Sequence, residues 1–294
     1  WANDVVIDAG WRLVAGLEQE RQHIDADDGF GGTYQRARSV RAVFAGMHVR
    51  GLSQQLALDL RRDHLDGTGS RTSARAGWSW VPQPAWTVFA SAATAFSAPP
   101  LGYLYAPWFG NPALRPEVST SAEAGLQWQQ ARQRVRATAF HTRVRDELEY
   151  DLLTYRFDNV ARTRNRGLEV SADGRWGGLE WRASATSQRP VDAVSGQPRL
   201  RRSEQMGALT LSQQVAPGWR AGAALKWSGA RPEVGGAVLP AYVVADLTTQ
   251  WDVSASWQVF ARIENLGDVR YETAAGYPQP RRGVFVGLRW RTAP

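Results

Sequence analysis

The chain has 294 residues, no cysteine, a formal net charge of +7 and a sequence pI near 10.2. The absence of cysteine excludes a disulfide scaffold, a thiolate metal site and a cysteine nucleophile. The mean hydropathy is −0.40, and no apolar run approaches the roughly 18 residues of a membrane-crossing helix, so a helical membrane protein is excluded while a membrane barrel stays open. The basic residues are nearly all arginine, with Lys226 the single lysine, and they are scattered along the chain instead of clustered on one element. That distribution argues against a nucleic-acid interface.

Period-two alternation dominates from one end to the other. It is weakest at the start, around Asp4–Asp8. A polar loop is predicted over about 21–33, where Asp25, Asp27, Asp28 and Gly29 resemble part of a calcium loop but lack its full spacing and terminal glutamate. After a short turn near Arg50-Gly51, Thr72, Ala74, Ala76, Trp78 and Trp80 alternate with Ser73, Arg75, Gly77 and Ser79. Pro82-Gln83-Pro84 marks the next short turn. Such alternation is strand periodicity, with one apolar and one polar face.

Phe96 to Ser119 is a loop rich in prolines and aromatic rings. Pro99, Pro100, Pro107, Pro112 and Pro116 are expected to stop any strand or helix from running through it. Tyr103, Tyr105, Trp108 and Phe109 place large rings where water is expected. Gly110-Asn111-Pro112 reads as a turn, and Glu117 can accept from backbone amides freed at the corner. Two readings stay open for this loop: a structural corner, or a surface whose aromatics touch a ligand.

Alternation resumes at Ala122, Ala124, Leu126 and Trp128, again over Trp219–Trp227 and Val243–Val253, and from Trp257 to Ile263. The segments are read as roughly 9–13 residues long, enough to cross a bilayer at a tilt. Many of the fourteen tryptophans stand near the ends of the apolar faces, as an interfacial girdle requires. Short turns near Trp176-Gly177-Gly178 and Ala216-Pro217-Gly218 alternate with long polar loops at about 97–117, 189–203, 229–240 and 267–282. Roughly fifteen strands are predicted. A soluble β-sandwich or propeller is the alternative, and its buried face would favour Val, Ile and Phe over the Ala, Leu and Trp present here.

The arginines of the later loops, Arg199, Arg201, Arg202, Arg281 and Arg282, suit either an anionic ligand group, a lipopolysaccharide phosphate or plain solvation. Tyr277 stands in the last long loop as a further ligand candidate. An enzyme is not expected. His23, His48, His64 and His141 share no ligand spacing, and His64 beside Asp63 is the one candidate pair.

Three motifs carry a resemblance. The first runs from Pro99 through Leu104-Tyr105 to Gly110-Asn111-Pro112, Leu114, Pro116-Glu117 and Ser119. The second is Asn159 followed by Arg164-Asn165-Arg166-Gly167-Leu168-Glu169. The third is Glu264-Asn265-Leu266-Gly267-Asp268-Val269-Arg270-Tyr271-Glu272-Thr273 with Gly276-Tyr277-Pro278, in which Gly267 replaces the usual aromatic. Together they resemble the TonB-dependent outer-membrane transporters, most closely the cobalamin receptor branch, over nearly the whole chain.

The resemblance implies an all-β fold, a transmembrane antiparallel β-barrel. Residues 1–294 would supply the C-terminal portion of it, about fifteen of 22 strands, in the outer membrane of a Gram-negative bacterium. It implies that a plug domain and an energy-coupling box, through which TonB would be engaged, belong to a region absent here, and that this portion alone transports nothing. It further implies outer-membrane lipid and lipopolysaccharide as surroundings and a small metal complex as ligand. A corrinoid comes first, a siderophore or other metal chelate second. No resident cofactor is expected, calcium in outer loops being the exception left open. A reading from another class is a barrel remnant with a structural or adhesive role.

Overall fold

The computed structural model describes residues 1–27, 32–151 and 154–292, and Asp28 and Gly29 of the calcium-like loop lie outside them. The chain folds as β1 (Ala2–Val6), β2 (Trp11–Asp27), β3 (Thr33–Arg50), β4 (Gln54–Leu65), β5 (Gly69–Gln83) and β6 (Trp86–Ser97), followed by the one-turn helix α1 (Leu101–Tyr105). Next come β7 (Glu117–Gln130), β8 (Gln133–Asp151), β9 (Arg156–Trp176), β10 (Leu179–Gln188) and the two-residue β11 (Val191–Asp192). The rest comprises β12 (Gln205–Ala216), β13 (Trp219–Ser228), β14 (Arg231–Pro232), β15 (Val238–Leu239), β16 (Tyr242–Asp252), β17 (Trp257–Glu264) and β18 (Gly283–Trp290). Among the described residues, β1–β10, β12, β13 and β16–β18 follow one another in hydrogen-bonded order, which matches the predicted number of strands.

Two compact units share this chain. The first contains Trp1–Gly125, Phe140–Asn165 and Val191–Gln197; the second contains Leu126–Ala139, Arg166–Pro190 and Pro198–Pro294. In the first unit, the antiparallel register places Leu13, Met47, Leu58, Ala76 and Ala92 side by side on β2 to β6. Leu17, Val43 and Leu60 on this face are more than half exposed. The alternate residues form a charged face. There His48 Nε2 lies 3.0 Å from Asp59, and Arg61 donates to Glu18 (2.9 Å) and Asp63 (2.9 Å). An apolar face left uncovered and a charged face that is hydrogen-bonded is the reverse of a soluble sheet, whose apolar side is buried. From Trp11 to Leu17 the apolar row covers roughly 20 Å at about 3.3 Å per residue, close to the ~25 Å lipid-facing band of a membrane barrel.

Several strands exceed the expected length. β2, β3, β8 and β9 run for 17, 18, 19 and 21 residues, and the described part of the predicted loop 21–33 is almost all strand. Alternation in hydropathy marks only the stretch that carries one apolar face. Beyond Leu17 and Val43, Gln19, Arg41, His64 and Ser70 continue the ladder on the same face with polar side chains, so the hydrophobic signal ends before the strand does.

The second unit repeats the two-faced pattern. Leu209, Leu225 and Ala245 line up on one face of β12, β13 and β16, while Ser212, Gly222 and Thr248 line up on the other. Trp219 pairs with Trp251, and Trp257 with Trp290, beside the short turns, as the girdle reading requires. Two glycines let aromatic rings lie flat across the ladder. A Cβ added at Gly207 would stand 1.9 Å from the Trp227 ring, and one at Gly287 would stand 2.2 Å from that of Phe260.

Candidate functional site

In the first unit the loop after β6 folds onto itself. Pro99 is fully buried, and Leu101, Leu104 and Leu114 form a small core with Ile24, Leu148 and Phe157. No strand or helix runs through the proline-rich loop, as expected, but inside it forms the one-turn α1, which the sequence reading did not foresee. It fits between Pro100 and Pro107 because a proline at a helix start gives up only an N–H that would lack an intrahelical partner. The predicted turn is present: Leu114 N–H donates to Asn111 O (3.2 Å), with Pro112 at its second position. Gly110 N–H closes the preceding turn on Ala106 O at 2.9 Å.

The structure brings the first and second motifs together. Asn111 Nδ2 donates to Phe157 O (2.9 Å) and to Asp158 Oδ1 (2.7 Å). Asn159 accepts from Arg115 N–H (2.7 Å) and donates to the carbonyls of Arg115 (2.9 Å) and Asp146 (2.7 Å). Glu117 accepts from Leu148 N–H at 2.8 Å, the role expected of it. The two asparagines act as adaptors, each offering donors and an acceptor to backbone that no ladder satisfies. Further along β9, Gly167 and Glu169 face Gln188 and Thr186 across the ladder, and Arg166 O accepts from Arg189 N–H at 2.8 Å.

The four rings have different environments. Tyr103 stacks on Phe157 with centroids 3.6 Å apart, and Tyr105 lies beneath the Arg36 guanidinium at 5.4 Å. Phe109 is half-buried. Trp108 is 83% exposed and holds a positive φ of 70°, a backbone conformation that is costly for a residue with a Cβ.

In the second unit the long loops are tied at a node that sequence reasoning missed. Glu233, between β14 and β15, is only 2% exposed. It accepts from Val234 N–H (2.9 Å), Ala275 N–H (3.0 Å) and Arg201 Nε (2.9 Å). Those amides, and then Arg201, hold its carboxyl below the usual carboxylate range. Arg231, also buried, donates to Ser228 Oγ (3.1 Å) and Glu272 O and lies over the Tyr242 ring, which contacts Tyr271 at 4.3 Å. Burial raises the Tyr271 hydroxyl above its ordinary value. The one sequence signal for this node is the Arg231-Pro232-Glu233 triplet inside a polar loop.

The third motif forms the adjoining loop. Asn265 Nδ2 donates to Val269 O (2.9 Å) and Pro280 O (3.2 Å), and its Oδ1 accepts from Val269 N–H (2.9 Å). Asp268 is bonded by Arg281 and by Arg282 N–H (3.1 Å), which together pull its pKa down to about 2. Arg282 Nε donates to Leu266 O at 2.9 Å. Of the arginines proposed from sequence, Arg201 therefore clasps two loops together and Arg281 closes its own loop, while Arg202 is exposed, as are Trp108 and Tyr277. Because the folded pKa of Asp268 is depressed, its contribution to loop closure is present above pH 4 and is lost as the pH falls toward 2. Hydrogen exchange should show the Arg282 amide protected at pH 5 and 4 and released only near pH 2. Release centred at pH 4 would contradict this latch, and Asp268→Asn should lower protection at every pH.

The remaining candidate side chains have other partners. His64 Nδ1 lies 3.1 Å from Ser70 Oγ, while Asp63 is held by Arg61. Asp25 accepts from Gln35 Nε2 at 3.0 Å, and no group of three or more His or acidic side chains gathers around a metal-sized space among the described residues.

A family model described as TonB-dependent receptor-like β-barrel matches residues 2–266. Among curated proteins, the vitamin B12 transporter BtuB of Vibrio cholerae serotype O1 is 28% identical over 312 residues, covering 99% of this chain and 48% of the relative. BtuB of Vibrio vulnificus is 23% identical, covering 93% of this chain and 45% of the relative. The chain thus spans about half the length of the curated relatives it matches. Among solved structures, a ferric enterobactin receptor (PfeA) variant from Pseudomonas aeruginosa superposes with a TM-score of 0.84 at 19% identity, covering 98% of this chain and 53% of the receptor. The siderophore receptor PirA of Acinetobacter baumannii gives 0.83 at 16% identity, covering 98% and 53%. At these identities the structural likeness shows a common fold.

Proposed function

The chain belongs to the TonB-dependent receptor β-barrel family, and we propose that it forms the C-terminal barrel portion of an outer-membrane receptor for the uptake of a scarce metal complex, cobalamin first. The observation that carries the ligand class is similarity to vitamin B12 transporters along almost the entire chain. The geometry supports the receptor reading. The uncovered apolar face suits lipid, the charged face suits a water-filled or protein-filled interior, and the hydrogen-bonded long loops suit solvent, with Trp108 exposed in the first unit and Tyr277 and Arg202 exposed in the second. Lipopolysaccharide would surround the apolar face. TonB would act through a region outside residues 1–294. A second reading, a siderophore or other metal-chelate receptor, is favoured by the fold shared with the enterobactin receptor and PirA.

Cyanocobalamin binding by the full-length receptor in outer-membrane preparations tests the assignment. Saturable binding, weakened by Trp108→Ala or Arg202→Gln, is the expected result. No binding at micromolar ligand would overturn the corrinoid reading, and competition by ferric enterobactin alone would select the second.

A further inference from the structure

A depression of about 400 Å³ lies on the polar face of the second unit, away from the loop clasps. Arg220 of β13, Arg262 of β17 and Arg289 of β18 line it, together with the hydroxyls of Thr210, Ser212 and Thr248, and none of its lining residues is acidic. Its floor follows from one glycine. Gly287 has no Cβ to lift the Phe260 ring, so that ring lies against the ladder, and Arg289 stands over it at 5.6 Å. Arg262 stands over Phe285 at 4.4 Å.

Each guanidinium is steadied with little of its donor capacity used. Arg289 donates one bond to Gln258 Oε1 (2.9 Å), Arg262 pairs through Nε with Glu264 (3.2 Å), and Arg220 reaches Ser212 Oγ (3.5 Å) and Glu180 (3.7 Å) through one nitrogen. A guanidinium has five N–H donors, so most of them stay available. Three guanidinium groups, two of them held against rings, stand beside only the two carboxylates Glu264 and Glu180, and Arg289 pairs with the neutral Gln258, so the hollow keeps a net positive charge that an anion would neutralise.

We propose that this depression is an oxyanion site that takes a small ligand bearing phosphate groups. Guanidinium forks match phosphate oxygens two at a time, and the threonine and serine hydroxyls supply further donors around them. The site rests on the reading of this face as an interior wall reached by water, and it adds a basic patch that would favour anionic over neutral solutes along that wall.

Inorganic pyrophosphate is the probe. It is titrated calorimetrically into the receptor extracted from membranes in detergent, at low salt so that screening does not hide the interaction. One saturable site is expected. It should be weakened about tenfold or more when Arg262→Gln and Arg289→Gln are combined, as loss of two charge-assisted forks implies. Arg289→Lys, which keeps the charge but not the fork, should weaken binding less. Arg134→Gln, which breaks a bond to Asp173 outside the depression, should leave binding unchanged. If the double variant does not give the folded species on a semi-native gel, the single Arg289→Gln replaces it. The proposal is overturned by absence of saturation at millimolar pyrophosphate, by undiminished binding in the folded variant, or by equal weakening with Arg134→Gln, which would mean diffuse attraction. Cyanocobalamin plays no part in this titration, so failure here is distinct from failure of the corrinoid reading.

Discussion

Replacing Asn265 by alanine is expected to destabilise the β17–β18 loop by about 3–5 kcal/mol, among the larger effects for a single side chain. Asn265 is 3% exposed, and its amide serves Val269 N–H, Val269 O and Pro280 O at once. Truncation strands one donor and two acceptors, each costing on the order of 1–3 kcal/mol where water does not replace the lost partner. The backbone adds to this, because Asn265 sits at φ 50°; asparagine tolerates that region, whereas alanine loses roughly another 1 kcal/mol. The bond from Asn265 N–H to Asp246 Oδ1, 2.8 Å, does not depend on the side chain and should survive. Asn265→Gly separates the two contributions: it relieves the backbone term but not the lost hydrogen bonds, so it should be less damaging than alanine by about 1 kcal/mol. Urea midpoints of the folded species, with amide exchange at Val269, give the readout. An alanine variant within 1 kcal/mol of the parent would show that the amide is replaceable by water.

Gly207→Ala is expected to cost about 2–3 kcal/mol through overpacking. The added methyl would stand 1.9 Å from the Trp227 ring, deep inside van der Waals contact, so the indole must leave its rotamer or the β12–β13 ladder must shift. Trp227 lies in the apolar row beside Val243, and displacement would also disturb that exposed apolar surface. Gly77→Ala is the control, since the nearest atom to its added Cβ is 4.0 Å away; it should change stability by less than about 1 kcal/mol. Adding Trp227→Leu to Gly207→Ala should restore much of the loss, because the two changes share one contact and do not add. Thermal midpoints of the gel-shifted folded species measure all four proteins. Equal midpoints for Gly207→Ala and Gly77→Ala would refute the close-approach account.

The loop motifs show where sequence reading reached and where it stopped. Pro112 and Asn111 specify their turn through φ and a local side-chain bond, and the structure shows that turn. Glu117 was legible as an acceptor for corner backbone, although its partner, Leu148, was not. The short α1 went unread because five prolines were weighed as breakers without regard to position, and a proline just before a helix breaks nothing. Strand length was under-read wherever the ladder continues past the apolar band.

Alternation, turn chemistry and motif spacing are local properties, so the amino-acid sequence by itself determined the all-β class, the two-faced strands, the order of short turns and long loops and the family. The partners of loop charges are not local. Arg201 reads as a free cation until Glu233, 32 residues away, arrives beside it, and Glu233 reads as solvated until Ala275 closes over it. Only the tertiary structure decided which arginines are clasps and which remain exposed, because that depends on which strand ends lie side by side, and strand pairing brings together residues that are far apart along the chain.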